Sequence, residues 1–377
     1  MIKMNILILV LLIGFASCDK ENNAGPSDDP QNTEIIYTMP EETSEHEGTW
    51  LQWPHDYTYG AGYRDDVEST WIEMTQGLIK GENVHIIAYN EEEETHIINV
   101  LTNEGISLDQ IDFYIYQTDD FWVRDNGPIF VYDKDDNLLI TDWGFNGWGE
   151  KMKYTKCDII PEKISSDIGI SRVDLSKMVL EGGSVEIDGN GTFMATRSSV
   201  TNPNRNPNLS EGQIESILKE NLGVSNFIWL DGVYNSDDIT DYHIDGFAKF
   251  HDSTTIVCLN ETDLLTWVVT QKDINTLMSA KNINGKDYKY VYLPLTKNNV
   301  ITEWGKDIGY EGSYVNYYVG NKVVLVPNYA DPNDEIANNI IQGLFPNREV
   351  IGIDVRNLYN GGGMIHCVTQ QQPVAKK

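Results

Sequence analysis

Gly361-Gly362-Gly363-Met364-Ile365-His366-Cys367, near the end of a 377-residue chain, is the stretch on which the fold reading turns. Its three glycines permit close approach of the backbone to another group, and the apolar residues after them predict a short strand. A thiol at Cys367 is then within reach of a ligand, although the commoner fate of a cysteine is burial as a packing residue. In a strand His366 faces away from Cys367, so the two are not paired as nucleophile and base.

Working outward, three other short segments carry groups suited to chemistry. His243-Ile244-Asp245, read as strand, projects an imidazole and a carboxylate to one face, where they could move a proton and hold a cation. Asp125 lies in Phe121-Trp122-Val123-Arg124-Asp125-Asn126-Gly127-Pro128, a loop whose aromatic residues and carboxylate suit a flat cation. Glu181 in Leu180-Glu181-Gly182-Gly183-Ser184 is an acid followed by glycines at the mouth of a hairpin. Taken singly, each is more often a structural residue than a functional one.

Around these segments the chain alternates strand-like and helical runs. Strands are predicted at 84–88, 113–116, 227–230, 255–259, 290–293 and 350–353, and hairpins join 128–132 to 138–142, 184–187 to 192–196, and 314–319 to 323–327. Ser210 with Gln213 forms a capping box before a helix that Gly223 ends, and Asp331-Pro332 predicts a helix over 333–345 with proline at its first position. The class is α/β or α+β. No Pro, Gly or Ser-rich linker interrupts the chain after Ile35, so residues 34–377 read as a single catalytic domain.

Together the segments resemble a known family. Met39-Pro40-Glu41, His46-Glu47-Gly48-Thr49-Trp50, Trp53-Pro54, Trp122 to Pro128, Phe145-Asn146-Gly147-Trp148-Gly149, Leu180 to Ser184, His243-Ile244-Asp245 and Gly361 to Pro373 look like agmatine deiminase and the related Porphyromonas-type peptidylarginine deiminase, in family order. The resemblance implies an α/β pentein fold, a propeller of five pseudo-symmetric αβ units around a central active-site funnel, with no metal or organic cofactor. It implies Cys367 as nucleophile, His243 as general acid and base, Asp125 and Asp245 as guanidinium clamps, and Glu181 as a supporting acid. Trp122 and Gly363 join the clamps as substrate-binding residues. The cationic substrate and the nearby imidazolium are expected to help keep Cys367 deprotonated. Tyr242 departs from the family, which often has glycine there, and Lys151 and Lys153 add two cations near the expected funnel mouth.

The first residues read differently from the rest. Met1-Ile2-Lys3, an apolar run from Ile6 to Ile13 and the small residues Gly14, Ala16 and Ser17 form an export signal over 1–17. Cys18 stands where a bacterial lipobox is acylated, and residues 18–33, rich in Asn, Asp, Pro and Gly, form a flexible tether. The expectation is an exported lipoprotein anchored to the membrane at Cys18, facing the periplasm or the cell surface. Cys157, Cys258 and Cys367 then remain, an odd number, with core packing the reading for the first two.

A formal net charge of −31 argues against a nucleic-acid partner, which needs clustered Lys and Arg, and favours a cationic ligand. Most of the acid, including Glu91 to Glu94, is assigned to solubility. The substrate is a cationic guanidino small molecule, with agmatine ahead of peptidyl-arginine; a polyamine- or guanidino-binding surface lipoprotein without turnover is the rival of another class. A zinc hydrolase is disfavoured because neither His-x-x-x-His nor Cys-x-x-Cys is present.

Overall fold

The computed structural model describes residues 33–234 and 237–377; the export signal, the tether and Cys18 lie outside them, apart from the tether's last residue. Among the described residues the strands form five separate sheets, and one connectivity recurs in four of them, the fifth keeping the same strand directions. An antiparallel hairpin is followed by a helical crossover and a strand parallel to the hairpin's second strand. Thus Ile129–Asp133 pairs antiparallel with Leu138–Gly144, helix Ile160–Ile168 crosses over, and Arg172–Val179 returns in parallel. Glu186–Ile187, Thr192–Thr196, helix Glu211–Leu222 and Asn226–Leu230 repeat the pattern, as do Ala248–Asp252, Thr255–Leu259, two helices and Lys289–Leu293. Tyr318–Val319, Val323–Asn328, helix Asp334–Leu344 and Glu349–Asp354 form the fourth.

The fifth sheet is made from both ends of the described chain. Gln370–Pro373 pairs antiparallel with His46–Gln52, and helix Tyr63–Leu78 leads to the parallel Asn83–Ala88 and then Ile111–Ile115. Joining the ends in one sheet leaves the segment after Glu349–Asp354 free to carry Cys367 back beside the N-terminal half. All six predicted strands and all three hairpins are present. The architecture is α/β, and no closed sheet joins the five.

Local details follow from local chemistry, with some corrections. The Ser210 side chain accepts from the Gln213 N–H while Gln213 bonds back to Ser210 N, and Gly223 ends that helix in the left-handed region at φ +75°. The helix predicted to start at Pro332 begins at Asp334 instead. The Asp334 carboxylate accepts the N–H groups of Tyr329 and Asp331, and Asp331 accepts from Asn333, which ties residues 331–333 into a turn. Only Tyr318–Val319 of the strand predicted over 314–319 pairs, because Asn316 is drawn toward Cys367. Glu91 to Glu94 occupy the first turn of a helix capped by Asn90, where acids complement the helix dipole, and Glu93 is buried on Arg64 Nη1 at 2.9 Å. That residue is structural rather than solubilising.

Tryptophans at 50, 53 and 71 are buried at or near zero exposure in the core. Cys157 and Cys258 are buried free thiols, as packing residues should be. No helix among the described residues is long and apolar enough to cross a membrane.

Candidate active site

Ahead of the first strand of each hairpin lies a short segment that carries a polar residue inward. Asp125 sits in the turn Val123–Asn126 before Ile129–Asp133, and Glu181 precedes the 3₁₀ turn Gly182–Ser184 before Glu186–Ile187. His243 caps the 3₁₀ turn Ile244–Gly246 that holds Asp245, Asn316 precedes Tyr318–Val319, and Cys367 lies in the 3₁₀ turn His366–Val368 before Gln370–Pro373. The turns pack on one another, so five segments remote in sequence share one centre.

Neither His243-Ile244-Asp245 nor the residues around Cys367 form a strand. A 3₁₀ turn positions successive side chains around a tight helix, so alternation of faces does not apply. His366 nevertheless is not the partner of Cys367, for a different reason from the one expected: its ring is bound to Asp245 and Glu42.

His243 Nε2 donates to Glu181 Oε2 at 2.7 Å, while its Nδ1 stands 3.6 Å from Asp125 Oδ1. Glu181 is itself gripped by Arg205, whose Nε and Nη2 donate to Oε1 and Oε2 at 2.8 and 3.1 Å, and Arg205 Nη1 also pairs with Asp241. Asp125 accepts the Gly183 N–H at 3.0 Å and the Trp148 indole N–H at 2.9 Å. Trp148 lies between two glycines in a run of four left-handed residues, 147–150, at φ +57°, a conformation that bulky residues adopt only under constraint. The turn 147–149 thereby holds the indole on the carboxylate.

Cys367 Sγ lies 3.5 Å from Asn316 Oδ1 and 4.0 Å from Asp245 Oδ2. Asn316 also accepts the His366 N–H at 3.0 Å and donates to the Asp245 carbonyl at 3.3 Å, so one amide ties three site segments together. Two glycines are required by space. A Cβ on Gly183 would stand 2.5 Å from His243 Nδ1 and 3.0 Å from Asp125 Oδ1, and one on Gly363 would stand 2.2 Å from the Trp122 ring.

The charges interlock. Burial disfavours a charged His243, but Asp125, Glu181 and Asp245 outweigh it and raise the imidazole to about 9. Burial likewise opposes ionisation of Glu181 and of Asp245, yet Arg205 and His243 hold the former low, and His366, His243 and Lys249 hold the latter low. Asp125 is raised, chiefly by burial and by the neighbouring carboxylates. Burial, then Asp245 and Asp125, push Cys367 well above the usual thiol range. Both carboxylates thus favour the protonated form of Cys367.

Above the thiol opens a cavity of about 310 Å³ walled by Tyr59, Tyr63, Trp122, Trp148 and Met152, with Gly363 at the thiol. Among the described residues, Asp120 and Asp125 are the carboxylates on its wall, and no Lys or Arg lines it. Burial raises Asp120 to about 6, against hydrogen bonds from Tyr59, Phe121 N–H and Trp122. Tyr59, Asp120 and Met152 also face an outer chamber of about 680 Å³ that contains Lys151 and Lys153. Lys151 is occupied there, bonded to Asp241 at 2.9 Å and to the carbonyls of Asp238 and Ile239.

Asp125, Asp245, His243, Glu181, Cys367, Trp122 and Gly363, all singled out in the sequence, meet at this centre. Asn316, Arg205 and Trp148 were not singled out as site residues. Trp148 had a signal in its flanking glycines; Asn316 lies in an apolar, tyrosine-rich run with none. Among the described residues, Asp65, Glu68 and His96 are the group close enough to share a metal ion. Glu68 Oε1 there already accepts from Trp53 Nε1 and bonds His96, each at 2.7 Å.

Known proteins resemble this chain in both sequence and fold. Residues 38–373 match the family model of Porphyromonas-type peptidyl-arginine deiminase. The agmatine deiminase of Pseudomonas aeruginosa (strain LESB58) is 30% identical over 365 residues, covering 90% of this chain and 96% of that protein. The solved agmatine deiminase of Enterococcus faecalis superposes with a TM-score of 0.77 at 25% identity, over 93% of this chain and 98% of that one. The agmatine deiminase of C. jejuni with substrate bound gives 0.77 at 26%, over 91% and 98%. With a family model matching residues 38–373, a relative 30% identical over nine-tenths of the chain and an α/β pentein-type fold, the chain belongs to the Porphyromonas-type peptidyl-arginine deiminase family, whose relatives include the agmatine deiminases.

Proposed function

We propose that this protein hydrolyses agmatine to N-carbamoylputrescine and ammonia through a covalent intermediate on Cys367. The observation that carries the reading is a thiol set 4.0 Å from one carboxylate of a pair, Asp245 and Asp125, with an imidazole between acids beside them. A guanidinium carbon resists water because its charge is delocalised; a thiolate attacks it once the cation is held in plane by charge-assisted hydrogen bonds.

Docking the guanidinium on Asp125 and Asp245 offsets the two charges that hold the thiol proton, and Cys367 releases that proton to water. Its Sγ then bonds to the guanidinium carbon to give a tetrahedral adduct. His243, charged at rest, donates a proton to one nitrogen, the C–N bond breaks, and ammonia leaves. Water attacks the amidino-thioether carbon and gives its proton to His243, and the C–S bond breaks to return the thiolate and the ureido product. Glu181, anchored by Arg205, keeps the imidazole oriented through both transfers.

Agmatine is favoured over arginine by the inner wall, where the charged groups are acids and Tyr59, Tyr63, Trp122 and Trp148 present aromatic rings, a lining that suits a second cation and repels a carboxylate. Agmatine deiminases are also prominent among the relatives. The lysines stand in the outer chamber, where a longer peptidyl substrate would have to reach them. The repeated connectivity supports five units arranged as a propeller about this funnel, and the first 18 residues support export and a lipid anchor at Cys18.

The test is release of ammonia and ureido product from agmatine, free arginine and a peptide ending in arginine, with Cys367→Ala as control. Agmatine is expected to give the highest kcat/KM, and Asp120→Asn to raise KM for agmatine more than it lowers kcat. A higher kcat/KM for the peptide would replace agmatine with peptidyl-arginine.

A further inference from the structure

Behind Asp245 runs a second chain of charges that the reaction above does not use. His366 Nδ1 donates to Asp245 Oδ2 at 2.8 Å, and its Nε2 donates to Glu42 Oε2 at 2.7 Å. Lys249 Nζ bonds the same Glu42 oxygen at 3.1 Å and lies 3.3 Å from Glu186 Oε1, and Arg124 Nη2 stands 4.0 Å from Glu42. His366 and Lys249 are almost sealed from solvent, at 1% and 3% exposure.

An imidazole placed between two carboxylates satisfies both only with hydrogen on each nitrogen. Glu42 therefore accepts the N–H of the nitrogen facing it, while the other N–H is spent on Asp245. That bond fixes the carboxylate whose Oδ2 also lies 4.0 Å from Cys367 Sγ. Partners that orient a functional group through one intervening side chain change its activity by about tenfold to a hundredfold in metal sites, where the effect is best measured. The geometry here is of the same kind, with the substrate's guanidinium in place of the metal.

We propose that Glu42 and His366 are positioning residues for the deiminase reaction, fixing the orientation and charge of Asp245 so that it meets the guanidinium beside Cys367. The proposal rests on the deiminase reading. The groups facing Asp245 are His366, His243, Lys249, Asp125 and Cys367, and those facing Glu42 are Lys249, His366, Arg124, Arg348, Tyr317 and Tyr318, with Glu186 beyond Lys249. Both carboxyls are held low despite burial, Asp245 mainly by His366 and Glu42 mainly by Lys249 and then His366. Losing the charge on Glu42 weakens that hold on Asp245, whose carboxyl then takes up a proton at higher pH.

Glu42 also has a purely structural task, since its Oε1 accepts the Val319 N–H and its carbonyl bonds His46 Nε2. The experiment must separate the two. Wild type, Glu42→Gln, Glu42→Asp and His366→Asn, all as the full chain, are assayed with agmatine across pH, beside Cys367→Ala. Glu42→Gln keeps the shape and loses the charge; Glu42→Asp keeps the charge.

The expected result is a fall in kcat/KM of about tenfold to a hundredfold in Glu42→Gln. It should be borne mainly by KM, with the acid limb moved to higher pH as Asp245 titrates alongside Asp125. Glu42→Asp should keep the limb near its wild-type position. His366→Asn, which retains an N–H for Asp245 but cuts the link to Glu42, should move the limb as Glu42→Gln does, and decides the matter if Glu42→Gln does not fold. Activity lost evenly across pH with KM unchanged, or an Asp variant as impaired as the Gln one, overturns the proposal. Wild type without turnover of any guanidino substrate would overturn the deiminase reading and this proposal with it, whereas active wild type with an unmoved limb overturns this proposal alone.

Discussion

Two series of the same order, cation, glutamate, histidine and aspartate, meet beneath the cavity, one running Arg205, Glu181, His243, Asp125 and the other Lys249, Glu42, His366, Asp245. In each a buried cation grips a glutamate, the glutamate holds Nε2 of a histidine at 2.7 Å, and Nδ1 faces an aspartate. They differ in the last link. His243 Nδ1 is 3.6 Å from Asp125, too long for a hydrogen bond, whereas His366 Nδ1 is 2.8 Å from Asp245. A slack link leaves a proton that can be passed to a substrate nitrogen. A tight one commits it to holding a carboxylate in place. Residue type alone does not separate a catalytic histidine from a positioning one; the final distance does.

Backbone strain sides with the slack chain. Trp148, Glu150, Asp241 and Tyr242 all hold positive φ, and they flank Asp125 and His243, while the turn carrying His366 and Cys367 meets its one left-handed need with Gly362. Strain of this kind persists where surrounding structure enforces it, and it marks the side of the centre on which groups must stay poised.

The contrast predicts a graded set of outcomes. His243→Gln should lower kcat by about 10²- to 10⁴-fold with KM little changed, the scale of general acid–base catalysis; steady-state kinetics on agmatine would show it, and an equal loss in KM would make the two histidines alike. Arg205→Met removes the guanidinium that Glu181 and Asp241 share, leaving only His243 and Lys151 to offset them, and is expected to cost about 3–5 kcal/mol of stability in denaturant unfolding.

The pH dependence of stability is also expected to differ. The imidazole of His243 is raised on folding from an ordinary value near 6.5 to about 9. A raised histidine contributes stability that is fully present below pH ~6.5 and is lost as pH rises through ~9. Unfolding free energies of wild type and His243→Gln should therefore converge over that interval. The smallest effect is reserved for Tyr242→Gly, which relieves φ +68° and should stabilise by under about 1 kcal/mol while leaving kcat unchanged.

Much of this was legible in the sequence because the segments that matter are short and rich in constrained residue types. Hairpin turns, the Ser210 capping box, the glycine pair after Glu181 and the three glycines before Cys367 each carry a local physical signal, and the structure places the expected strands and side chains accordingly. The unreadable part is of two kinds. Periodicity cannot distinguish a strand from a 3₁₀ turn over three residues, so both His243-Ile244-Asp245 and the Cys367 segment were assigned the wrong local structure. Partners remote in sequence leave no local trace either: Glu42 lies 324 residues from His366, and Asn316 sits in an apolar run until the fold brings Cys367 to it.

The central claim is that Cys367 becomes covalently bonded to the guanidinium carbon, and the most direct measurement is intact-protein mass spectrometry of enzyme acid-quenched during turnover of agmatine. The account predicts a species heavier than the free protein by agmatine less ammonia, mapped to Cys367 by peptide digestion and missing from Cys367→Ala. Steady ammonia release with no such species, and with the Cys367→Ala protein as active as wild type, would contradict it.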